Sequence, residues 1–243
     1  MNPRSYWRER SKSLLLNGKI SYLNPGKIER QSILTSLINA REYAGCKLLD
    51  MGCGNKPYES IFSDVADKEI GIDLPISKSA NKLEKQADVY GSVLKLPFKS
   101  HSFDTVLSTQ VLEHVPEPKR MLKEAYRVLK KDGYLILTAP MTWGLHEIPD
   151  DYYRYTKYGL KYLAGSVGFE IVYIKARCGF WGVIGQRISS WVYYFRGVPK
   201  SLIGEGIKRS LCAMIQAFYL LLDKINKDEG ETLGYVVVAK KGE

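Results

Sequence analysis

A single stretch decides the fold of this chain: Leu48-Leu49-Asp50-Met51-Gly52-Cys53-Gly54-Asn55-Lys56-Pro57-Tyr58. The leucines predict a short buried strand, the glycines a tight turn, and the proline the start of a helix. A side chain at Gly52 or Gly54 would block a ligand, or would resist the backbone dihedral angles of so tight a turn. Asp50 therefore ends a strand where a cationic or hydroxyl-bearing ligand would lie on bare backbone.

A second acidic residue follows at a distance typical of nucleoside binding. Residues 68–74 are predicted to form a short strand in which Asp73 lies 23 positions beyond Asp50. A βαβ unit places a carboxylate about 20 residues on, where it accepts hydrogen bonds from ribose hydroxyls. We predict that Asp73 binds a ribose; the alternative is an acid that only opens the next loop.

Strands and helices alternate along most of the chain. Further strands are predicted at 87–93, 102–108, 134–140, 168–175 and 233–240, and helices at 27–43, 58–65, 77–87, 119–130 and 156–167. Lys131-Asp132-Gly133 is predicted to cap the helix before it. The alternation predicts an α/β fold with a doubly wound, mostly parallel, seven-stranded sheet.

The predicted organisation has four segments. Residues 1–44 form an N-terminal basic and helical extension, and residues 45–176 form the ligand-binding core. Residues 177–231 form an aromatic and basic helical insertion, and residues 232–243 return to the core as its last strand.

Several motifs together resemble the class I S-adenosylmethionine-dependent methyltransferases, specifically the type 11 methyltransferase-like family. The first stretch is similar to the family's D-x-G-C-G-x-x-P-Y motif, although Lys56 stands where the commoner pattern has a third glycine. Leu96-Pro97-Phe98 resembles the family's LPF segment, and residues 102–130 resemble its FDvV and vLEHv signature. The resemblance covers roughly residues 45–176 and the final strand. It implies a Rossmann-like methyltransferase fold whose last strand is antiparallel, with S-adenosyl-L-methionine as cofactor.

The resemblance assigns the cofactor to the carboxyl ends of the strands, where ligands lie in doubly wound sheets. Its methionine end would lie on the glycine turn, its ribose on Asp73, and its adenine near the next two strand ends. Ser92 occupies the place of the family's adenine-binding acid. The predicted cofactor residues are Asp50, Gly52, Cys53, Gly54, Asp73, Leu74, Ser92, Val93, Thr109 and Gln110.

The acceptor segment, which we define as Trp143–Tyr155, concentrates a histidine, carboxylates, an arginine and tyrosines after the fifth strand. It resembles an HE.P.D.YRYT segment of methyltransferases with unassigned substrates, several of them linked to cell-surface saccharide modification. Loops at this edge of a sheet often carry function. The residues predicted to bind the acceptor are Trp143, Asp150, Tyr152, Arg154 and Tyr155.

A hydroxyl acceptor needs a general base, and His146 is our first prediction because the pKa of imidazole lies near working pH. His114, after the fourth strand, is the second candidate, and Glu147 completes the predicted catalytic group. The alternative is that His146 and Glu147 only cap or orient the loop while Arg154 pairs with Asp150 or Asp151. His114 would then be a loop histidine bonded to backbone.

Composition narrows the class of protein. The cysteines at 46, 53, 178 and 212 lie far apart, so neither a zinc site nor a disulfide framework is indicated, and no metal is predicted. The net charge of +10 concentrates in residues 1–30 and 175–212. This concentration of positive charge favours an anionic partner. The alternative is that the basic residues form a solvated surface that only keeps the protein soluble. No signal-peptide pattern is present, and the apolar run 211–222 is too short to span a bilayer, so we predict a cytoplasmic protein.

The insertion interleaves aromatic and cationic side chains, which suits peripheral membrane contact through residues 177–222 or a lid over a lipid-linked acceptor. The alternative is a helical lid whose aromatic residues pack on the core or across a homodimer. Nucleic acid is disfavoured as a partner. Residues 108–111 read Ser-Thr-Gln-Val, where the methyltransferases of nucleic-acid bases carry Asn/Asp-Pro-Pro-Tyr.

The sequence thus predicts methyl transfer to a small-molecule, saccharide or lipid-linked acceptor, at oxygen. One rival is a nicotinamide-dependent dehydrogenase, which would need a third glycine where Pro57 stands. The other rival is a catalytically silent methyltransferase-like scaffold at a membrane surface or in a complex.

Overall fold

The computed structural model describes residues 15–16, 19–75, 86–195, 197, 201–226 and 228–242. Most of the helical piece predicted at 77–87, and the basic residues before position 15, lie outside the described residues. The chain forms two compact units. The first, the sheet unit, comprises Ser36–Lys175 and Gly234–Glu243; the second, the helical unit, comprises Met1–Thr35 and Ala176–Leu233.

Strands and helices alternate over the middle of the described chain. They are β1 (Leu15–Leu16), β2 (Lys19–Ile20), α1 (Lys27–Ala40), β3 (Lys47–Met51), α2 (Glu59–Phe62), β4 (Lys68–Asp73), β5 (Val89–Tyr90), β6 (Phe103–Thr109), α3 (Pro118–Val128), β7 (Leu129–Pro140), α4 (Lys157–Gly165), β8 (Phe169–Ala176), α5 (Phe180–Tyr194), α6 (Leu202–Ile225) and β9 (Gly234–Lys241). Short 3-10 turns occupy Arg41–Tyr43 and Leu112–His114.

Seven strands form one sheet in the order β5-β4-β3-β6-β7-β9-β8. β3 is parallel to β4 and β6, β4 is parallel to β5, and β6 is parallel to β7. β9 runs antiparallel to β7, with Tyr134 opposite Lys240 and Pro140 opposite Gly234. The predicted seven-stranded, mostly parallel sheet with an antiparallel last strand is therefore confirmed.

The central strands are apolar along their length because a parallel sheet is covered on both faces. Leu48, Leu49, Val106 and Ile136 are completely buried. Since parallel strands point the same way, the carboxyl ends of β3, β4, β6 and β7 lie along one edge of the sheet. This edge carries the predicted cofactor residues and leads into the acceptor segment.

Two predicted boundaries differ from the structure. Lys131-Asp132-Gly133 does not cap a helix, because α3 ends at Val128 and these residues already belong to β7. The backbone of Leu129 is extended, and this residue pairs with Phe103 of β6. Strand pairing thus overrides the glycine stop signal. The predicted strand at 87–93 shrinks to Val89–Tyr90.

In the helical unit, glycines let α5 and α6 pack closely. A Cβ atom on Gly185 would lie 2.5 Å from Cβ of Tyr219. Asp223 of α6 accepts hydrogen bonds from the backbone N–H groups of Gly179 and Gly182, at 3.1 Å and 3.0 Å, and so caps the start of α5. None of the described helices combines the length and apolar character that crossing a membrane requires.

Candidate active site

The glycine turn between β3 and α2 requires both glycines, for different reasons. Gly52 has φ +79°, and a Cβ atom there would lie 2.4 Å from a methyl carbon of Val111. Gly54 has φ +53°, but a Cβ atom there would enter open space. Both φ values lie in the region that favours glycine. The space above Gly54 is a cradle that any side chain would begin to fill, as a site for close ligand approach requires.

Lys56 occupies the position at which the commoner motif has a third glycine. Its φ of 46° is in the left-handed region, where glycine would fit without strain. Its ammonium group lies 2.6 Å from a carboxylate oxygen of Asp88, and the same oxygen accepts a hydrogen bond from Gly71 N at 2.7 Å. The lysine thus ties the turn to the entry of β5.

Asp73 is bound to the same turn. One carboxylate oxygen accepts a hydrogen bond from Gly54 N at 2.8 Å, and the other accepts from Leu74 N at 2.6 Å. The end of β4 is therefore fixed against the end of β3. A carboxylate is also the kind of group that accepts hydrogen bonds from the hydroxyl groups of a ligand.

Asp50 and Cys53 are buried at the base of the turn. Burial, assisted by the negative charge of Glu69, raises the pKa of Asp50 well above its ordinary value. Oδ1 of Asp50 has no hydrogen-bond partner among the described residues. Burying such an atom is costly unless a donor or cation reaches it, so this carboxyl fits a cofactor that carries an ammonium and a sulfonium group. Burial also raises the pKa of the Cys53 thiol, which stays protonated.

The remaining predicted cofactor residues lie at the ends of β5 and β6. Ser92 and Val93 are half-buried after β5, and the Ser92 hydroxyl accepts a hydrogen bond from Leu94 N at 3.2 Å. Gln110 follows β6 with φ 54°, and its side-chain amide donates to Thr138 Oγ1 at 3.1 Å. A left-handed non-glycine residue at a strand end is a strained position of the kind that clusters at functional sites.

The structure brings His114 and His146 together around a buried carboxylate; we call Glu113, His114 and His146 the imidazole cluster. Oε1 of the fully buried Glu113 lies 3.9 Å from His114 Nε2 and 4.0 Å from His146 Nε2. His114 Nδ1 lies 2.6 Å from the carbonyl oxygen of Asp150, and His146 Nδ1 lies 3.2 Å from that of Gly144. A carbonyl oxygen only accepts, so a neutral ring in either position carries its proton on Nδ1 and presents the lone pair of Nε2.

The Nε2 atoms of the two rings and the carboxylate of Glu113 lie close together, so the cluster can stabilise a positive charge. Burial, followed by the charge of His114, lowers the pKa of His146, so its imidazole is neutral near pH 7. The neutral ring can take a proton from an acceptor. Because the ligand atoms of the cluster lie within 4.8 Å of one another, they could also bind a divalent cation.

Arg154 holds the acceptor segment together. Its guanidinium donates to both carboxylate oxygens of Asp151, at 2.7 Å and 2.9 Å, and to the carbonyl oxygens of Gly144 and Trp143. Hydrogen bonding to Arg154 keeps the pKa of Asp151 well below its usual range. Asp151 also accepts from His146 N at 2.8 Å. Of the two aspartates considered, the arginine pairs with Asp151, and this pair positions the candidate base.

The tyrosines anchor the segment to the turn that carries Glu113. The backbone N–H groups of Tyr152 and Tyr153 donate to the carbonyl oxygen of Glu113, at 2.9 Å and 3.2 Å. Tyr155 is buried, and its hydroxyl donates to the carbonyl oxygen of Leu112. Tyr152 is 47% exposed, so its side chain is the more accessible of the two tyrosines predicted to bind the acceptor.

Glu147 and His101 are not members of the imidazole cluster. Glu147 has φ 53°, and its carbonyl oxygen accepts a hydrogen bond from Asp150 N, which closes a turn. His101 lies in an exposed turn, 3.5 Å from the ammonium group of Lys241. Glu113 and Asp151 are the functional candidates missing from the predicted site. The sequence did place them in informative stretches, since Glu113 belongs to the vLEHv signature and Asp151 to the acceptor segment, but it gave neither of them a role.

Residues 49–137 match a family model described as a methyltransferase domain. A protein of Mycolicibacterium smegmatis, named as a probable S-adenosylmethionine-dependent methyltransferase, is 30% identical over 104 residues, which are 42% of this chain and 40% of the relative. The 27-O-demethylrifamycin SV methyltransferase of Amycolatopsis mediterranei is 34% identical over 104 residues, 39% of this chain and 38% of the relative. The chain thus spans less than half the length of these curated relatives.

Among solved structures, the cyclase SpnF matches with a TM-score of 0.55 at 21% identity, over 88% of this chain and 82% of SpnF. At that identity the likeness shows the fold alone. The family match extends the similarity beyond the fold, because it runs from β3 into β7 and includes the glycine turn, Asp73 and the turn of Glu113. Residues 49–137 of this chain are therefore similar to a methyltransferase domain, and the named relatives are S-adenosylmethionine-dependent methyltransferases or act as methyltransferases.

Proposed function

We propose that this chain transfers the methyl group of S-adenosylmethionine to a hydroxyl oxygen of a small-molecule, saccharide or lipid-linked acceptor. The observation that supports this most directly is the contact between the two halves of the site. Val111 lies against Gly52, and the 3-10 turn Leu112–His114 follows Val111 directly. The glycine turn thereby lies beside groups that can take up a proton.

The cofactor would be held by the predicted strand-end residues. We propose that Gly52, Gly54 and the carboxyl of Asp50 receive the methionine end, and that Asp73 receives the ribose. The adenine would lie near Leu74, Ser92 and Val93, and the backbone of Thr109 and Gln110 would face the methionine ammonium. When bound, the cofactor supplies an activated methyl group on a sulfonium, so the protein's main tasks are positioning and exclusion of water.

The acceptor proton would go to Nε2 of His146. Glu113 would stabilise the resulting imidazolium, and Asp151 and Arg154 would keep the ring in place. His114 remains the second candidate base. We propose that exposed groups of the acceptor segment, Tyr152 among them, contact the acceptor.

Oxygen is the favoured methyl acceptor because a hydroxyl must lose a proton, and the imidazole cluster provides for that loss. The name of the Amycolatopsis relative also indicates an oxygen-linked methyl group in that protein's product. The described cysteines are all free thiols, which fits the cytoplasmic location that we propose. A lipid-linked acceptor would bring the enzyme to a membrane surface.

A catalytically silent scaffold is the second candidate. It stays open because a shared fold does not by itself imply turnover. Such a module would retain the glycine turn without turnover. The two candidates differ in whether an intact imidazole cluster changes the rate of any methyl transfer.

Calorimetry with S-adenosylhomocysteine tests the cofactor half of the proposal. Asp73→Asn should weaken binding roughly tenfold to a hundredfold, because an amide replaces a charged acceptor. Asp67→Ala, a change at an exposed aspartate just before β4, should leave the affinity unchanged. Absence of heat with the wild-type chain, for both the donor and its demethylated product, would overturn the proposal.

A labelled-methyl screen across saccharide, lipid-linked and small hydroxylated acceptors tests the catalytic half. With a confirmed acceptor, His146→Ala should slow transfer about a hundredfold or more while cofactor affinity is retained. His101→Ala, in an exposed turn, is the matched control. A full rate in His146→Ala would remove this residue as the base, and binding without turnover on any acceptor would support the scaffold.

A further inference from the structure

One face of α6 exposes a continuous row of large apolar side chains, which we call the α6 stripe. Each member is between 40% and 73% exposed: Ile207, Leu211, Met214, Phe218, Leu221 and Ile225. Side chains on other faces of α6 are occupied within the helical unit. Asp223 caps α5, and Cys212 and Gln216 are buried with hydrogen bonds to backbone carbonyl oxygens of that unit. The stripe is therefore not the face that this helix uses within its own unit.

The spacing along the stripe alternates between four and three residues from Ile207 to Ile225. This is the a/d repeat of a coiled-coil seam, in which apolar residues recur every 3.5 positions on average. Small residues, Ser210 and Ala217, lie beside the seam on the exposed surface, so a second helix could approach closely. The pattern predicts a helix as the occupant.

The order of side chains in the stripe reads the same from both ends, apart from its middle. Ile207 and Ile225 are equidistant from position 216, as are Leu211 and Leu221, and Met214 and Phe218. A two-fold axis through position 216 would place isoleucine opposite isoleucine, leucine opposite leucine, and Met214 opposite Phe218. Isologous dimers require such self-complementarity.

The stripe is also large and uncharged. Its exposed side chains present on the order of 650 Å² of mostly apolar surface, at the top of the roughly 300–600 Å² range for the largest patch on an ordinary monomer. A stable interface buries about 800 Å² on each partner. Among the exposed residues of α6 only Lys224, at its C-terminal end, is charged, whereas helices that lie on anionic lipid carry several cations beside their apolar face.

We propose that α6 pairs antiparallel with α6 of a second copy of this chain, about a two-fold axis near position 216. The central layer would be formed by Met214 of each copy against Phe218 of the other. This inference is independent of the proposed methyl transfer, since it involves only the helical unit.

Light scattering after size-exclusion chromatography tests the proposal on the full chain. The wild-type chain should have twice the mass of one chain at micromolar concentration. Met214→Glu should produce a monomer, with dimer dissociation at least a hundredfold more favourable. Tyr162→Glu is the control, because Tyr162 is 76% exposed on α4, outside the stripe. Circular dichroism melting should show that both variants remain folded.

A double variant tests the antiparallel register and guards against trivial misfolding. In Met214→Glu/Phe218→Lys, each new glutamate would face the new lysine of the other copy, and the dimer should return. A parallel pair would instead set like charges opposite each other, and the double variant would stay monomeric. That result would overturn the proposed geometry.

A wild-type chain that stays monomeric over the whole concentration range would overturn the proposal itself. If that monomer floated with phosphatidylcholine–phosphatidylglycerol vesicles and Met214→Glu did not, a lipid surface would be the occupant instead.

Discussion

The glycine turn and the acceptor segment are two halves of one candidate site, and they are built differently. The turn is made from backbone at the ends of β3 and β4, where Asp73 bonds to Gly54. The acceptor segment is organised by side chains, chiefly the Arg154–Asp151 pair and the histidines around Glu113. Changes in the turn should therefore act through backbone conformation, and changes in the segment through charge and hydrogen bonding.

The largest effect should come from Gly52→Ala. The new methyl group would overlap Val111 and force a left-handed backbone on alanine, so the free energy of unfolding should fall by about 3 kcal/mol. Gly54→Ala should cost only about 1 kcal/mol, because its Cβ atom would meet open space. Urea denaturation of both variants measures the difference.

Cofactor affinity should rank these variants differently. The methyl group of Gly54→Ala would lie in the cradle proposed for the methionine end, so its affinity for S-adenosylhomocysteine should fall by more than its stability. If Gly54→Ala bound the cofactor as tightly as the wild-type chain, the cradle would not be the binding surface. Equal stability losses in both variants would show that the Val111 contact does not distinguish the two glycines.

The turn could be predicted from the sequence because its determinants are local. Gly52 and Gly54 lie between an apolar strand and Pro57, and Asp73 follows at the spacing that a βαβ unit imposes. The antiparallel direction of β9 followed from the family resemblance. Local signals failed where pairing intervened: Gly133 indicated a helix stop, but Leu129 already pairs with β6.

The imidazole cluster could not be predicted in the same way. His146 follows Glu113 by 33 positions, and no periodicity connects them. They meet because the backbone of Tyr152 and Tyr153 bonds to the carbonyl oxygen of Glu113, a contact that depends on the path of a loop. The sequence indicated which residue types concentrate in the acceptor segment, but not which of them converge.

A smaller effect should come from Arg154→Met. Breaking the bidentate pair leaves the carboxylate of Asp151, whose side chain is 2% exposed, without its cation. The loss should be about 2 kcal/mol, below the range for a fully buried pair, because Arg154 is itself 24% exposed. Arg120→Met breaks an exposed pair with Glu117 and should cost less than about 1 kcal/mol.

The Arg154→Met substitution should also alter how the stability of the chain depends on pH. Because the pKa of Asp151 is depressed in the folded chain, its contribution is present above the ordinary value of 3.8 and is lost as the pH falls below it. Arg154→Met should therefore reduce the stability difference between pH 6 and the most acidic pH at which the chain stays folded. S-adenosylhomocysteine affinity should be unchanged. A parallel loss of affinity would show that the two halves of the site are not independent.

The smallest effect should be the position of the acid limb in the pH–rate profile. Burial and the charge of His114 lower the pKa of His146 from 6.5. A base acts in its neutral form, so kcat/KM should rise with pH through this lowered pKa and then level off. The midpoint should lie below 6.5 for any acceptor hydroxyl that the labelled screen identifies.

His114→Gln separates the two causes of that shift. It removes the charge that a protonated His114 places beside the ring while keeping a polar side chain, so the midpoint should move upward toward the ordinary value, and burial together with the charge of Arg154 should account for what remains of the shift. Replacing Arg154, the next cation on the ring, should move the midpoint in the same direction but less, since its charge is the weaker cause. An acid limb that neither change moves would belong to another group, and the acceptor segment would then only orient the acceptor. Adding a divalent cation to each assay distinguishes that outcome from metal binding at the imidazole cluster. A bound metal would suppress the acid limb in the wild-type chain, and the limb should reappear in His114→Gln, which lacks one of the two imidazoles.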